Sequence, residues 1–331
     1  MEQLEAGRGW QARRVVVTGG SGFLGSVLVG RLRAAGADVI VPLREDYDLT
    51  ESSAAARVFT DARPQVLFHL AAAVGGIGAN RANPGRFFYE NMAMGLHVVD
   101  HAHRYGRLDK LIIVGTTCAY PGDAPVPLRE ADLWSGYPEP TNAPYGVAKR
   151  ALLVMAQAYR TQYGLKAIYL IPANLYGPGD NFDPETSHVI PALIRKCVEA
   201  VDEGRDELVA WGDGTPTRDF LHVRDAALGL MLAAERYEGA DPINLGTHEE
   251  TTIRDLLAQI TVLTGYRGRV VWDTTRPGGQ RRRRLDVSRA KDAFGFNAQV
   301  SLIEGLRETI AWYRTHRGAL SAIKRGDAST P

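Results

Sequence analysis

Cysteine is scarce in this 331-residue chain: only Cys118 and Cys197 occur. Two thiols cannot form a disulfide framework, and no His/Cys spacing resembles a metal site, so neither covalent staples nor a metal is expected. Excess charge of one sign is also missing. Lys and Arg number 39 against 38 Asp and Glu, a formal net charge of +1. That excludes a global field for nucleic acid or an anionic membrane and leaves any anion binding to local clusters. No apolar run approaches the ~20 residues that span a bilayer. The opening MEQLEAGRGWQARR carries acids and no apolar segment, so a secretory signal is not expected. Repeats and low-complexity tracts are absent. The expectation is a cytoplasmic protein with both thiols reduced. The remaining composition, 45% apolar and 23% charged, is ordinary for a globular chain, and the length suits one large domain or two lobes.

The first half alternates short apolar runs with helical patterns. RRVVVTGG, ADVIVPL, PQVLFHLAA and KLIIVGTT read as strands, whereas SVLVGRLRAAG and FYENMAMGLHVVDHAHRYG read as amphipathic helices. Such alternation predicts an α/β fold, a Rossmann-type doubly wound parallel sheet with strands buried on both faces. We place this domain at residues 12–175. Beyond it, Gly- and Pro-rich segments such as NLYGPGDNFDPETSH and WGDGTPTRDF predict a smaller substrate-binding lobe over 176–320, with some later segments returning to the sheet.

The first strand runs into TGGSGFLGS, in which Gly19, Gly22 and Gly25 give a GxxGxxG spacing. Glycine permits positive φ and close approach to a pyrophosphate, and the helix that follows offers its N-terminus to the anion. Gly19, Gly20, Ser21, Gly22, Phe23, Leu24 and Gly25 are therefore candidate cofactor contacts. A glycine triplet alone is a weak signal; its place between a strand and a helix strengthens it. The second strand ends near Arg44 rather than an acid, and an arginine suits a 2′-phosphate, which favours NADP over NAD. Asp48 and Leu49 are expected beside the adenine.

In TNAPYGVAKRALL, Tyr145 and Lys149 stand four apart and share one face of a helix. An ammonium near a phenol favours its ionised form, so the pair is suited to exchanging a proton with a carbonyl or alcohol. Taken with the glycine turn, YGVAK and the intervening TTCAYP resemble the extended short-chain dehydrogenase/reductases. HLAAAVGGIGAN, EPTNAPYGVAK, NLYGPGDNF, SHVIPALIRK and WGDGTPTRDFLHV narrow the resemblance to the GDP-L-fucose synthase family, from about residue 13 to about residue 315.

That resemblance implies conversion of a GDP-linked 4-keto sugar by epimerisation at carbons 3 and 5, then NADPH-dependent reduction at carbon 4. It assigns Thr116 to the catalytic triad with Tyr145 and Lys149, and Cys118 and His188 to the epimerising pair, with Cys118 as base and His188 as acid. It places Ala71, Lys149, Pro172, Asn174, Leu175 and His188 around the cofactor. Asn174, Lys196, Trp211, Arg218, Arg276 and Arg283 fall around the nucleotide sugar. It further implies a homodimer with the Tyr145 helix at its interface, apolar residues such as Leu152, Leu153 and Met155 lying on that helix's faces. Three departures from the family pattern stand out: Thr116 and Thr117 for paired serines, Ser21 for an arginine in the glycine turn, and Gly146 for alanine. A redox-neutral GDP-mannose-type epimerase, an enzyme of a related 4-keto sugar, and a non-catalytic dinucleotide sensor would share much of this pattern. The run of arginines at 281–284 reads as a solvated face with Arg283 reaching inward, because no interleaved aromatics support nucleic-acid binding.

Overall fold

The computed structural model describes residues 8–275 and 280–324. The apolar runs of the first half form strands β1 (Arg14–Thr18), β2 (Asp38–Ile40), β3 (Val66–His69), β4 (Lys110–Val114) and β5 (Ala167–Pro172). Helices α1 (Phe23–Ala34), α2 (Ser52–Ala62), α3 (Ile77–Ala82), α4 (Pro84–Tyr105) and α5 (Ala143–Tyr163) alternate with them. In the second half come β6 (Asn174–Tyr176), α6 (Val189–Asp202), β7 (Glu207–Trp211), β8 (Thr217–Arg218), β9 (Phe220–His222) and α7 (Val223–Arg236). They are followed by β10 (Ile243–Leu245), β11 (Thr251–Thr252), α8 (Ile253–Thr264), β12 (Arg269–Asp273), β13 (Arg282–Arg283), α9 (Ser288–Phe294) and α10 (Leu302–Lys324).

Six strands make one parallel sheet in the order β10-β5-β4-β3-β1-β2. Every residue of β3, β4 and β5 is buried, which is why these segments read as unbroken apolar runs. The chain moves outward from β1 to β2 and then returns across β1 to β3, so the connections part above β1 and β3. In open α/β sheets a crevice forms at that point, outside the carboxyl ends of the strands. Strand β2 is shorter than the run ADVIVPL suggests. It pairs only with β1, through Arg14↔Asp38 to Val16↔Ile40, and the side chain of Val41 then packs over Gly20.

The described residues form two hydrophobic cores. The first surrounds the sheet and takes in Val15–Val17, Leu67, Ile112 and Leu170, but also α7, Ile243 and Phe296 from late in the chain. Strand β10 completes the sheet beside β5. The second core joins α6, α8 and α10 through Ile194, Leu257 and Leu306. Among the described residues, no helix is long and apolar enough to cross a membrane.

Candidate active site

The site is built at the carboxyl ends of β1, β3, β4 and β5. After β1, Gly19 adopts φ +71°, and a Cβ there would press on the backbone of Ala71. A Cβ on Gly25 would overlap the carbonyl of Gly19. Glycine at both places lets the turn, α1 and the loop after β3 close together. Gly22 caps α1 without any side-chain hydrogen bond, and Ser21 and Gly22 are exposed while Phe23 and Leu24 are half-buried. The first-turn amides are thus left to an anion, which fits a dinucleotide pyrophosphate. Thr18 Oγ1 accepts from the Ala71 amide at 3.4 Å and bonds His69 Nδ1 at 2.9 Å.

Arg44 lies beyond β2 with a largely exposed side chain. Its guanidinium stands 3.9 Å from Asp48 and 3.8 Å from Glu90, loose contacts that a phosphate could replace. Asp48 accepts from the Thr50 amide and hydroxyl, which holds its carboxyl below the usual range. Leu49 is buried and its carbonyl bonds His97. Opposite, Pro172 closes β5, and Asn174 and Leu175 begin β6. Asn174 Nδ2 donates to the Asp219 carbonyl at 3.1 Å.

Helix α5 carries Tyr145 and Lys149, both buried. Lys149 Nζ donates to the Val114 carbonyl at the end of β4, 3.1 Å away, and burial lowers its pKa to about 8. The phenol departs from the expectation of a lowered pKa. Burial, then the neighbouring Cys118, push Tyr145 well above its ordinary value, and only a hydrogen bond with Thr116 pulls it back. Tyr145 is therefore protonated at neutral pH, the form a proton donor needs.

Thr116 begins the turn Thr117–Ala119 and its Oγ1 accepts from the Cys118 amide at 3.2 Å. Cys118 is a half-buried free thiol. Arg283 Nη1 stands 3.7 Å from its Sγ and 3.4 Å from Thr117 Oγ1, and Nη2 bonds Gln280. Strand β13 aligns Arg283 beside Arg218 of β8. Arg218 Nη1 donates to the Thr217 and Gln280 carbonyls, both at 2.7 Å. Burial and then Arg283 lower its pKa to about 10, while Cys118 opposes them; the guanidinium still stays charged at neutral pH. Two cations thus flank the thiol, a setting that compensates a thiolate or an anionic substrate.

His188 caps the N-terminus of α6. Its ring is accessible to solvent yet densely surrounded, as on the wall of a cleft, and that desolvation lowers its pKa below the ordinary imidazole value. The preceding residues reach the cofactor side of the crevice: the Gly76 amide donates to the Thr186 carbonyl at 3.1 Å. Lys196 of α6 donates to the Val209 carbonyl at 3.1 Å and lies 5.2 Å over the ring of Trp211. Trp211 is more than half exposed. Arg276 lies outside the described residues.

Two residues of this region, His69 and Arg150, were not singled out from sequence. His69 is buried, and burial followed by the charge of Lys149 lowers its pKa to about 3, so it is a neutral floor beneath the site. A polar residue closing an otherwise apolar strand was the available signal. Arg150 acts through contacts distant in sequence, which leave no local mark.

The comparisons with known proteins agree with this geometry. The NAD dependent epimerase/dehydratase family matches residues 15–246. The probable GDP-L-fucose synthase 1 of Oryza sativa subsp. japonica is 42% identical over 301 residues, 91% of this chain and 92% of that protein. The GDP-L-fucose synthase of Escherichia coli (strain K12) is 39% identical, covering 91% of this chain and 96% of that protein. A solved GDP-L-fucose synthetase from Naegleria fowleri bound to NADP superposes with a TM-score of 0.85 at 27% identity, over 93% of this chain and 96% of that one. With the glycine cradle, the Tyr145–Lys149 helix and the thiol beside Arg283 in place, the chain belongs to the NAD dependent epimerase/dehydratase family and, within it, to the GDP-L-fucose synthases.

Proposed function

We propose that this enzyme converts GDP-4-keto-6-deoxy-D-mannose to GDP-L-fucose by two epimerisations and one NADPH-dependent reduction. The observation that carries the reading is the meeting of Cys118, Tyr145 and Thr116 at one end of the sheet, with Arg218 and Arg283 beside them. A ketone at carbon 4 acidifies the protons on carbons 3 and 5. In our reading Cys118, as thiolate, removes each proton, and His188 returns one to the opposite face. The ligand-free His188 is neutral, and an anionic substrate beside it raises its proton affinity, which the acid role requires. Tyr145 and Thr116 hold the enolate oxygen through hydrogen bonds. The glycine cradle would hold NADPH, which would supply the hydride for carbon 4. Tyr145 then donates its proton to the carbon 4 oxygen, and Lys149 borders the nicotinamide ribose. Arg218, Arg283, Lys196 and Trp211 hold the GDP moiety, with Asn174 bridging the two ligands.

We assign residues 12–175 to a cofactor lobe and 176–320 mainly to a substrate lobe, with α7 and β10 belonging to the first core. A reaction that needs Cys118 reduced suits the cytoplasm. The enzyme is a homodimer in this reading. Leu152 and Leu153 lie in the core and Met155 packs against it, so they are not the contact surface. Phe88 and Leu96 on α4 and Val154 on the adjoining α5 are exposed instead, and a second copy would cover them. Light scattering at a monomer's mass would remove the dimer.

The function is tested by following NADPH consumption with GDP-4-keto-6-deoxy-D-mannose and identifying the product. One NADPH consumed per GDP-L-fucose formed supports the reading. Isomerisation without NADPH consumption would replace it with a redox-neutral epimerase.

A further inference from the structure

We propose that Arg150 is a positioning residue that fixes the Cys118 thiol relative to the Tyr145 hydroxyl; the inference rests on the reaction proposed above. It follows Lys149 on α5, one turn beyond Gly146, which follows Tyr145. The turn Thr117–Ala119, which carries Cys118, lies against this part of the helix. Gly146 is buried, and a Cβ built on it overlaps the Cys118 carbonyl. The obstructing atom is backbone, so it cannot swing aside as a side chain would. The missing methyl is what admits the turn so close to α5.

Arg150 grips the next residue of the same turn. Its Nε donates to the Ala119 carbonyl at 3.1 Å and its Nη2 donates to the same oxygen. Its Nη1 donates to the Gly136 carbonyl at 3.1 Å, and the guanidinium lies 5.5 Å over the exposed ring of Trp134. All three nitrogens therefore end on backbone carbonyls. Arg150 joins three pieces: the Cys118 turn, the segment at 134–136, and the helix bearing Tyr145 and Lys149. The base for proton abstraction and the donor for reduction are thereby referenced to one rigid helix, although Cys118 itself sits in a loop-like turn. Arg150 needs no contact with the substrate for this.

A base displaced by about 1 Å loses up to about 100-fold in rate, and the displacement should fall on epimerisation more than on cofactor binding or hydride transfer. The test uses the full-length enzyme with Arg150→Ala and Arg150→Lys. Three quantities are measured in deuterium oxide: deuterium entering carbons 3 and 5 per NADPH consumed, NADPH affinity, and the share of product reduced at carbon 4 without epimerisation. Arg150→Ala is expected to lower deuterium entry by about 10- to 100-fold with unchanged NADPH affinity, so that un-epimerised product accumulates. Arg150→Lys, which keeps one charged donor, is expected to recover part of the loss. Deuterium entry equal to the wild type overturns the proposal. So does a loss that strikes exchange, reduction and NADPH binding equally in step with a lowered melting temperature, since that is a folding effect. A wild-type enzyme that forms no GDP-L-fucose overturns the underlying reaction instead, before any variant is compared.

Discussion

Replacing Lys149 with methionine should make the ligand-free protein more stable at neutral pH while abolishing its activity. The ammonium is buried, has no ion pair among the described residues, and donates one hydrogen bond, to the Val114 carbonyl. Burial lowers its pKa from 10.5 to about 8. At about 1.4 kcal/mol per tenfold change in proton affinity, holding the charge inside costs about 3 kcal/mol. The lost hydrogen bond returns about 1 kcal/mol of that, leaving a net gain of about 2 kcal/mol for methionine, whose chain fills similar space. The pH dependence distinguishes this cause from better packing. Between pH 8 and 10.5 the unfolded chain holds a proton that the native lysine has released, so wild-type stability rises with pH across that window. The methionine variant lacks the rise, and its advantage fades toward pH 10. Urea unfolding without cofactor at pH 7 and near pH 10 reads both. A variant less stable at pH 7, or a gap independent of pH, would refute the reasoning.

Other perturbations act on the cofactor side. Gly25→Val forces a side chain against the Gly19 carbonyl, so NADPH binding, followed by fluorescence, should be lost, with about 1–3 kcal/mol of overpacking cost. Arg44→Ala should weaken NADPH by about 1.5–3 kcal/mol, the worth of a charge-assisted hydrogen bond, and leave NADH nearly unchanged in the same titration. Equal weakening of both cofactors would show that Arg44 does not read the 2′-phosphate.

The parts of this protein legible in sequence are those encoded locally. The glycine turn, the buried strands and the four-residue spacing of Tyr145 and Lys149 each follow from a short-range rule. So does the arginine run: β13 alternates its side chains, Arg282 pairs with Glu250 outside, and Arg283 turns inward to Cys118. What could not be read depends on contacts between distant segments. The rise in the Tyr145 pKa, where the ammonium one turn away suggests a fall, comes from burial by segments distant in sequence. Leu152 and Leu153 look available to a partner until the sheet and α4 cover them. The addition of β10 beside β5 and the hold of Arg150 on Ala119 leave no periodic trace at all.

The most direct test of the account is the position of deuterium in the product when substrate and NADPH react in deuterium oxide with wild type and with Cys118→Ser. The account predicts deuterium at both carbon 3 and carbon 5 in wild type, ordinary hydrogen from NADPH at carbon 4, and little or no label in the variant although NADPH still binds. Normal labelling by Cys118→Ser would contradict it and place the base elsewhere.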